Sequence, residues 1–329
     1  MSFDKPKVIS IVTPLFNEED NVEELCHRVR TLMQVLPYDY EHICIDNCSQ
    51  DRTPALLRAL AANDPRLKVI FNARNFGHIR SPYHALLQAS GDCAVVIAGD
   101  LQDPPELIVD FIKKWEEGFK IVMAVKPTSD EPALMMLVRK VYYNFINKIS
   151  EIPLVKNATG AGLYDRRVLN VLRRINDPYP YARGLVCEIG YPIATVSFAQ
   201  PRRARGVSSQ GFYSLYDLAM LGVTKHSRIP LRMMTMLGFF LSCISFLVAI
   251  GYFFAKLLFW DSFTFGMAPV LIGIFFLGAI QLFFMGLLGE YIGAIQIQVR
   301  NMPLVVEAER INFASPSVER QSADAFGNP

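Results

Sequence analysis

The chain has 329 residues, of which 51% are hydrophobic, and its mean hydropathy of +0.23 is positive. This composition excludes an ordinary soluble enzyme and is typical of one catalytic domain joined to a membrane segment. The 33 lysines and arginines nearly balance the 31 aspartates and glutamates, so the net charge of +2 provides no global field for binding nucleic acid.

The first half of the chain alternates short β-branched runs with helical patterns, which predicts a parallel sheet wrapped by helices. Its polar start and short first apolar run predict that this part stays in the cytosol. We therefore predict a Rossmann-like α/β domain over residues 1–210. The four predicted strands are residues 8–13, 42–46, 67–71 and 93–98.

Polar loops follow all four predicted strands. In open sheets of this kind, ligands bind at the carboxyl ends of the strands. The loops are therefore expected to converge on one crevice. They comprise residues 16–19, 46–51, 74–77 and 100–103.

Two uncharged segments, residues 233–255 and 263–289, are each longer than the ~20 residues that span a bilayer. They predict a hairpin of two transmembrane helices within residues 231–295. Arg228, Arg232 and Arg300 flank it, which places the α/β domain and the tail, residues 296–329, on the cytoplasmic side of an inner membrane. The end of that tail is small, polar and aperiodic, and disorder is expected there.

Residues 211–230 carry apolar side chains at helical spacing and end in a basic cluster. This pattern predicts an amphipathic helix lying on membrane lipid. The six cysteines of the chain are scattered without C-x-x-C spacing, which favours free thiols over a zinc site or a redox pair.

Two aspartates stand at predicted strand ends. Asp100 could hold Mg²⁺ or Mn²⁺ against a diphosphate, although an acidic loop before a helix is also a common N-cap with solvated charges. Asp46 could accept a hydrogen bond from a ribose or a base, or cap the following turn.

Four motifs in these loops resemble the family-2 glycosyltransferases of the GT-A fold. Further motifs are similar to those of polyprenyl-phosphate glycosyltransferases, a group that includes dolichol-phosphate mannose synthase and bacterial undecaprenyl-phosphate glucosyl and aminoarabinosyl transferases. The four motifs are TPLFNEE at 13–19, DNCSQD at 46–51, RNFG at 74–77 and DLQDPPE at 100–106, and the further ones are RGLV at 183–186, the basic stretch 202–206, PLR at 230–232 and GLLGEYIG at 286–293.

The resemblance implies roles for individual residues. Asp100 and Gln102 would hold the metal, with Asp103 as a nearby acid of possible catalytic use. Lys126 and Arg139 fall where the family places cations for donor or acceptor phosphates. The nucleotide-sugar would be bound by Pro14, Phe16, Glu18 and Asp46, and the lipid phosphate by Arg139, Arg202, Arg203 and Arg205. The last three arginines could also form a solvated basic turn or attract anionic headgroups.

The sequence departs from the family pattern at four positions, where acids or a lysine are common. One departure, Ala161, removes a residue sometimes regarded as the catalytic base. A phosphate monoester with a second pKa near about 6 is already largely dianionic, so attack needs no base. Catalysis is therefore expected to depend on positioning and charge. The four positions hold Asn47, Ala98, Ala161 and Ser209.

The expected activity is inverting transfer of a hexose, with UDP-glucose as the favoured donor, to undecaprenyl phosphate for surface-glycan modification. The resemblance allows assembly into homo-oligomers. One alternative is a processive polysaccharide synthase, although no Gln-x-x-Arg-Trp motif surrounds the two tryptophans, Trp115 and Trp260. The other alternative is a catalytically silent membrane scaffold.

Overall fold

A twisted eight-stranded sheet forms the centre of a computed structural model, which describes residues 7–126, 155, 157–199, 229–258 and 267–313. The strand order is β7-β5-β6-β4-β1-β2-β3-β8. The strands are β1 Val8–Leu15, β2 Asp39–Asp46, β3 Leu67–Asn72, β4 Cys93–Val96, β5 Ile121–Val125, β6 Ala158–Asp165, β7 Ile193–Ser197 and β8 Glu307–Ile311.

Helices connect the strands and cover both faces of the sheet. The helices are α1 Val22–Val35, α2 Thr53–Asn63, α3 Gly77–Gln88, α4 Leu107–Glu116, α5 Arg166–Arg174, α6 Ala182–Glu188, α7 Ile229–Leu258 and α8 Met267–Arg300. Strands β1 to β4 are mutually parallel, whereas β6 runs antiparallel to β4 and β5. The predicted α/β domain with a parallel centre is confirmed.

Successive side chains along each strand point to opposite faces of the sheet, and this creates two hydrophobic layers. On β1, Ile9 and Ile11 pack with helices α1, α2 and α4, whereas Val12 faces α3 and α5. Burial on both faces explains why the central strands are near-continuous apolar runs. Because both faces are buried, the polar side chains lie mainly where the strands end.

Strand β8 was not predicted. After α8, the chain returns to the α/β domain and pairs antiparallel with β3, with Val69 opposite Ile311. Asn312 secures the end of this strand, since its side-chain amide donates to the carbonyl oxygens of Ala61 and Leu67, both at 2.8 Å. Part of the predicted tail is thus the edge strand of the α/β sheet, and it covers backbone groups of β3 that would otherwise be open.

The described residues of the two uncharged segments are helical, as predicted. Within α8, Phe276–Arg300 is long and apolar enough to cross a membrane by length and composition, and α7 contributes the shorter apolar stretch Met233–Val248. Large apolar side chains on both helices are exposed, among them Phe239 and Phe283. The surface helix predicted at 211–230 and the end of the tail fall almost entirely outside the described residues.

Candidate functional site

The loops after β1 and β2 are joined by hydrogen bonds. The backbone amide of Asn17 donates to Ser49 Oγ at 2.8 Å, and that of Gln50 donates to Asn17 Oδ1 at 2.9 Å. The amide of Glu18 donates to Thr53 Oγ1 at 2.9 Å. Asn17 adopts φ 55°, a left-handed conformation that asparagine tolerates better than most residues. The first two predicted ligand loops therefore form one rigid edge of the crevice.

Asp46 is buried at the carboxyl end of β2. Its Oδ2 accepts a hydrogen bond from the backbone amide of Ser49 at 3.0 Å, whereas its Oδ1 has no hydrogen-bond partner in the described part of the chain. Burial raises the pKa of this carboxyl. An unsatisfied buried acceptor costs about 1–3 kcal/mol, so the position suits a ligand that brings a hydroxyl or N–H donor.

Asn47 connects the second loop to the third. Its Nδ2 donates to Asn75 Oδ1 at 2.9 Å, and its Oδ1 accepts from Asn72 Nδ2 at 3.0 Å and from the backbone amide of Phe76 at 2.9 Å. An aspartate at this position has no N–H group for Asn75. The departure from the family pattern therefore has a structural role.

The fourth loop holds Asp100 close to β1. A Cβ on Gly99 would clash with Leu15 Cδ2 and lie 3.0 Å from the carbonyl oxygen of Pro14, so any other residue would require buried Leu15 or the loop to shift. The backbone amide of Gln102 donates to Asp100 Oδ1 at 3.2 Å. The following Asp103 is buried.

These oxygen ligands fit a hard divalent cation. Mg²⁺ is commonly bound by one or two carboxylates together with substrate phosphates, rather than by a cage of protein ligands. With Ala98 in place of an acid, Asp100 and the side chain of Gln102 suffice for that mode. The donor set is therefore consistent with the predicted Mg²⁺ or Mn²⁺.

Two arginines lie beside the third loop. The guanidinium groups of Arg74 and Arg80 lie 4.1 and 5.3 Å from the ring centre of Phe76. A third arginine, Arg183, acts on this segment through its charge, since burial and the charge of Arg183 lower the pKa of His78. Among the described residues, none of the three arginines pairs with a carboxylate. The cluster was not predicted because Arg80 lies outside the motifs and Arg183 comes from a distant segment.

Other predicted site residues are placed as follows. Phe16 is exposed and follows Pro14 and Leu15 at the end of β1. Glu18 accepts a hydrogen bond from Asn21 Nδ2 at 2.6 Å, and the backbone amide of Lys126 donates to Asn157 just after β5. Ala161 is buried on β6. Arg139, Arg202, Arg203, Arg205 and Ser209 lie outside the described residues.

Sequence comparison identifies related proteins over nearly the whole chain. Residues 10–172 match glycosyl transferase family 2. A prophage-derived bactoprenol glucosyl transferase of Shigella flexneri is 35% identical over 298 residues, covering 90% of this chain and 96% of the relative. An uncharacterized glycosyltransferase of Synechocystis is 31% identical, covering 92% and 95%. A prophage bactoprenol glucosyl transferase homolog of Escherichia coli is also 31% identical, covering 90% and 96%.

Structure comparison finds glucosyl-3-phosphoglycerate synthase from Mycobacterium tuberculosis, solved with Mn²⁺, uridine diphosphate and phosphoglyceric acid. The similarity covers 66% of this chain and 76% of that chain, at 20% identity and a TM-score of 0.48.

Proposed function

The chain belongs to glycosyl transferase family 2, and we propose that it transfers glucose from UDP-glucose to undecaprenyl phosphate on the cytoplasmic face of the membrane. The observation that carries the proposal is the 35% identity, over 90% of the chain, to a bactoprenol glucosyl transferase. The name of that relative supports a glucosyl group and a polyprenyl carrier. The polar loops at the carboxyl ends of the strands would bind the donor.

Residues of the first two loops would bind the nucleotide. The unsatisfied Oδ1 of Asp46 is a suitable acceptor for a ribose hydroxyl or a base N–H. The exposed ring of Phe16, 37% accessible at the mouth of the same edge, offers an apolar surface for a base or a sugar. Pro14 and Glu18 complete this donor side.

The fourth loop would bind the diphosphate end of the donor. A bound Mg²⁺ or Mn²⁺ would neutralise the charge that develops on the departing nucleotide. Asp100 and Gln102 would hold that ion, and the tight packing at Gly99 would keep Asp100 in position. Lys126, after β5, would add a cation on the same side.

The arginine cluster provides a complementary place for the acceptor phosphate. Guanidinium groups bind phosphate oxygens through several charge-assisted hydrogen bonds, and an anion would relieve the repulsion between Arg74 and Arg80. Arg80 also donates to the carbonyl oxygen of Pro303 at 2.5 Å, just beyond α8. The cluster therefore lies where a lipid arriving along α8 would present its phosphate. Arg139, Arg202, Arg203 and Arg205 would add to this positive surface.

The reaction is an in-line displacement. A phosphate oxygen of the acceptor attacks the anomeric carbon, the bond from that carbon to the diphosphate breaks, and the configuration inverts. Because the acceptor is already largely dianionic at neutral pH, the reaction does not depend on an acid at Ala161. Buried Asp103 remains the nearest additional acid in this loop.

The membrane arrangement follows from the two long helices. We assign α7 and α8 as a hairpin that crosses the membrane twice and returns to the cytoplasm, where β8 joins the catalytic sheet. The exposed apolar side chains of both helices would face lipid or further copies of the chain. The product would then be glucosyl phosphate lipid on the cytoplasmic leaflet, available for surface-glycan modification.

The proposal is tested by transfer of radiolabelled sugar from a panel of UDP- and GDP-sugars to undecaprenyl phosphate. Detergent-purified protein is assayed with Mg²⁺ or Mn²⁺, alongside Asp100→Ala and the control Asp110→Ala. Asp110 is an exposed acid on α4 that pairs with Lys113 at 3.2 Å. Label in the lipid that disappears with Asp100→Ala or EDTA, but persists with Asp110→Ala, is expected. If no donor gives any transfer to the lipid, the proposed glycosyl transfer is refuted.

A further inference from the structure

Three soft or borderline metal ligands meet away from the crevice, in the layer between α1 and the sheet. Cys26 comes from α1, and His42 and Cys44 come from β2. All three residues are buried, and one potential ligand atom from each lies within 4.8 Å of the other two. Residues two apart on a strand share a face, so His42 and Cys44 both point towards α1.

The distances are close to those of a bound metal. Zn²⁺ bonds of about 2.3 Å to sulfur and about 2.0 Å to nitrogen, at a tetrahedral angle, separate the two ligand atoms by about 3.5 Å. His42 Nε2 lies 3.5 Å from Cys44 Sγ. The remaining sulfur needs to move by about 1.3 Å or less to close the triangle. Thr13 Oγ1 lies 3.0 Å from the same nitrogen, so this hydrogen bond breaks when the nitrogen binds the ion.

A small cavity lies beside the cluster. Its volume is about 10 Å³, room for about one water molecule, and it is lined by Cys26, Arg30, Tyr40, His42, Asp64 and Leu67. Arg30 and Asp64 form an ion pair of 2.9 Å beside it. Water in this cavity can supply a fourth ligand, as in sites with three protein ligands.

We propose that Cys26, His42 and Cys44 bind one thiolate-preferring cation, of which Zn²⁺ is the expected one. Two sulfur atoms and one nitrogen atom would bind this ion, whereas the oxygen ligands at Asp100 suit Mg²⁺ and Mn²⁺. On binding, the two thiols release two protons to solvent and become thiolates, and neutral His42 contributes its ring nitrogen. The ion would connect α1 to β2 and stabilise the layer that supports the donor loops.

A buried cysteine by itself behaves as a small apolar residue, so packing alone could explain each thiol. Cys93 is a buried thiol for which packing is the whole explanation. It is fully buried in the same hydrophobic layer, yet it belongs to no group of metal-ligating side chains in the described ranges. It is therefore the matched control for a metal-dependent effect.

Cobalt provides a readout that is independent of sugar transfer. The full-length protein, purified in detergent with a reductant and treated with EDTA, is titrated with Co²⁺ in the presence of excess Mg²⁺. We expect one Co²⁺ per chain and the near-ultraviolet absorption of a cobalt–thiolate bond, displaced by Zn²⁺. Cys26→Ser and Cys44→Ser should lose that absorption, whereas Cys93→Ser should keep it.

Two results would overturn the site, and neither depends on the folding of a variant. One is wild-type protein that shows no cobalt–thiolate absorption at a tenfold excess of Co²⁺. The other is a Cys26–Cys44 disulfide in the reduced preparation, found by mass spectrometry of peptides. Because the readout is spectroscopic, failure here leaves the proposed glycosyl transfer untouched.

Discussion

The side-chain amide of Asn47 donates a hydrogen bond to the side-chain oxygen of Asn75, at 2.9 Å, and so joins the end of β2 to the loop after β3. Asn75 Oδ1 also accepts from the backbone amide of Gly77 at 2.8 Å, where α3 begins at φ 84°. One asparagine thus orders the segment that carries Arg74 and Phe76.

Asn47→Asp removes the donor and adds a negative charge beside Asn75 Oδ1. We expect the free energy of unfolding to fall by about 1–3 kcal/mol, because the new carboxylate is buried and repels the Asn75 oxygen to which Asn47 donates. Thermal or denaturant unfolding measures this change. Asn63→Asp is the control, since Asn63 donates only to the carbonyl oxygen of Ala59 at an exposed site. An equal loss in both variants would show that Asn47 has no special role.

Arg183→Gln should weaken binding of the acceptor. A hydrogen bond to a charged group contributes about 1.5–3 kcal/mol, so KM for undecaprenyl phosphate is expected to rise by about 10-fold or more. UDP binding should change little, which calorimetry can test. Arg174→Gln, in the last turn of α5, is the control.

The same variant has an electrostatic signature. Burial and the charge of Arg183 both lower the pKa of His78, so removing the charge should raise that pKa while burial still holds it below the ordinary value. NMR titration of ¹³C-labelled histidine, assigned with His78→Gln, measures the shift. An unchanged pKa would place Arg183 too far from this loop to act with Arg74 and Arg80.

The attachment of β8 should depend on pH. His84 Nε2 lies 2.5 Å from Glu307 Oε1, and Arg310 donates to the same carboxylate at 2.6 Å. Burial lowers the pKa of His84 despite the opposing effect of Glu307. Although burial acts to raise the pKa of Glu307, hydrogen bonds from Arg310 and His84 lower it overall.

Both shifts destabilise this junction as the pH falls. A histidine with a lowered pKa takes up its proton more readily in the unfolded chain, so its contribution is lost as the pH falls below about 6.5. A carboxyl with a lowered pKa stabilises the fold above its unfolded value near about 4.3, and this contribution also disappears on acidification.

Hydrogen exchange of the β8 amides reports the effect. Protection is expected to decrease between about pH 6.5 and 4.5 in the wild type. Glu307→Gln should lower protection already at pH 7, whereas Glu309→Gln, which breaks only the exposed 2.7 Å pair with Arg58, should have a small effect. Equal protection in the two variants would contradict the role of Glu307.

The sequence predicts the strand ends well because hydrophobic runs and polar loops reflect burial directly. Asp46 and Asp100 were identified as site candidates for that reason. The roles of Asn47 and Arg80 depend on partners from other segments, which spacing along the chain does not reveal. Strand β8 was missed because it is short and charged, and its pairing with β3 connects residues more than 200 positions apart. The Cys26–His42–Cys44 group escaped detection because its spacing matches no metal motif and its members meet only through the packing of α1 on β2.

Gly99→Ala should abolish most transfer without a change in any charged residue. The added methyl group would clash with Leu15 Cδ2 and crowd the carbonyl oxygen of Pro14, so the loop that holds Asp100 has to move. Overpacking of this kind costs about 1–3 kcal/mol, and a displacement of about 1 Å at a reacting group can cost about 100-fold in rate. Gly160→Ala is the matched control, since a Cβ there meets nothing within 4 Å. Transfer assays on both variants, with unfolding measured in parallel, distinguish displacement of Asp100 from general instability. A Gly99→Ala protein that is folded and fully active would show that the close approach to β1 does not position the catalytic loop.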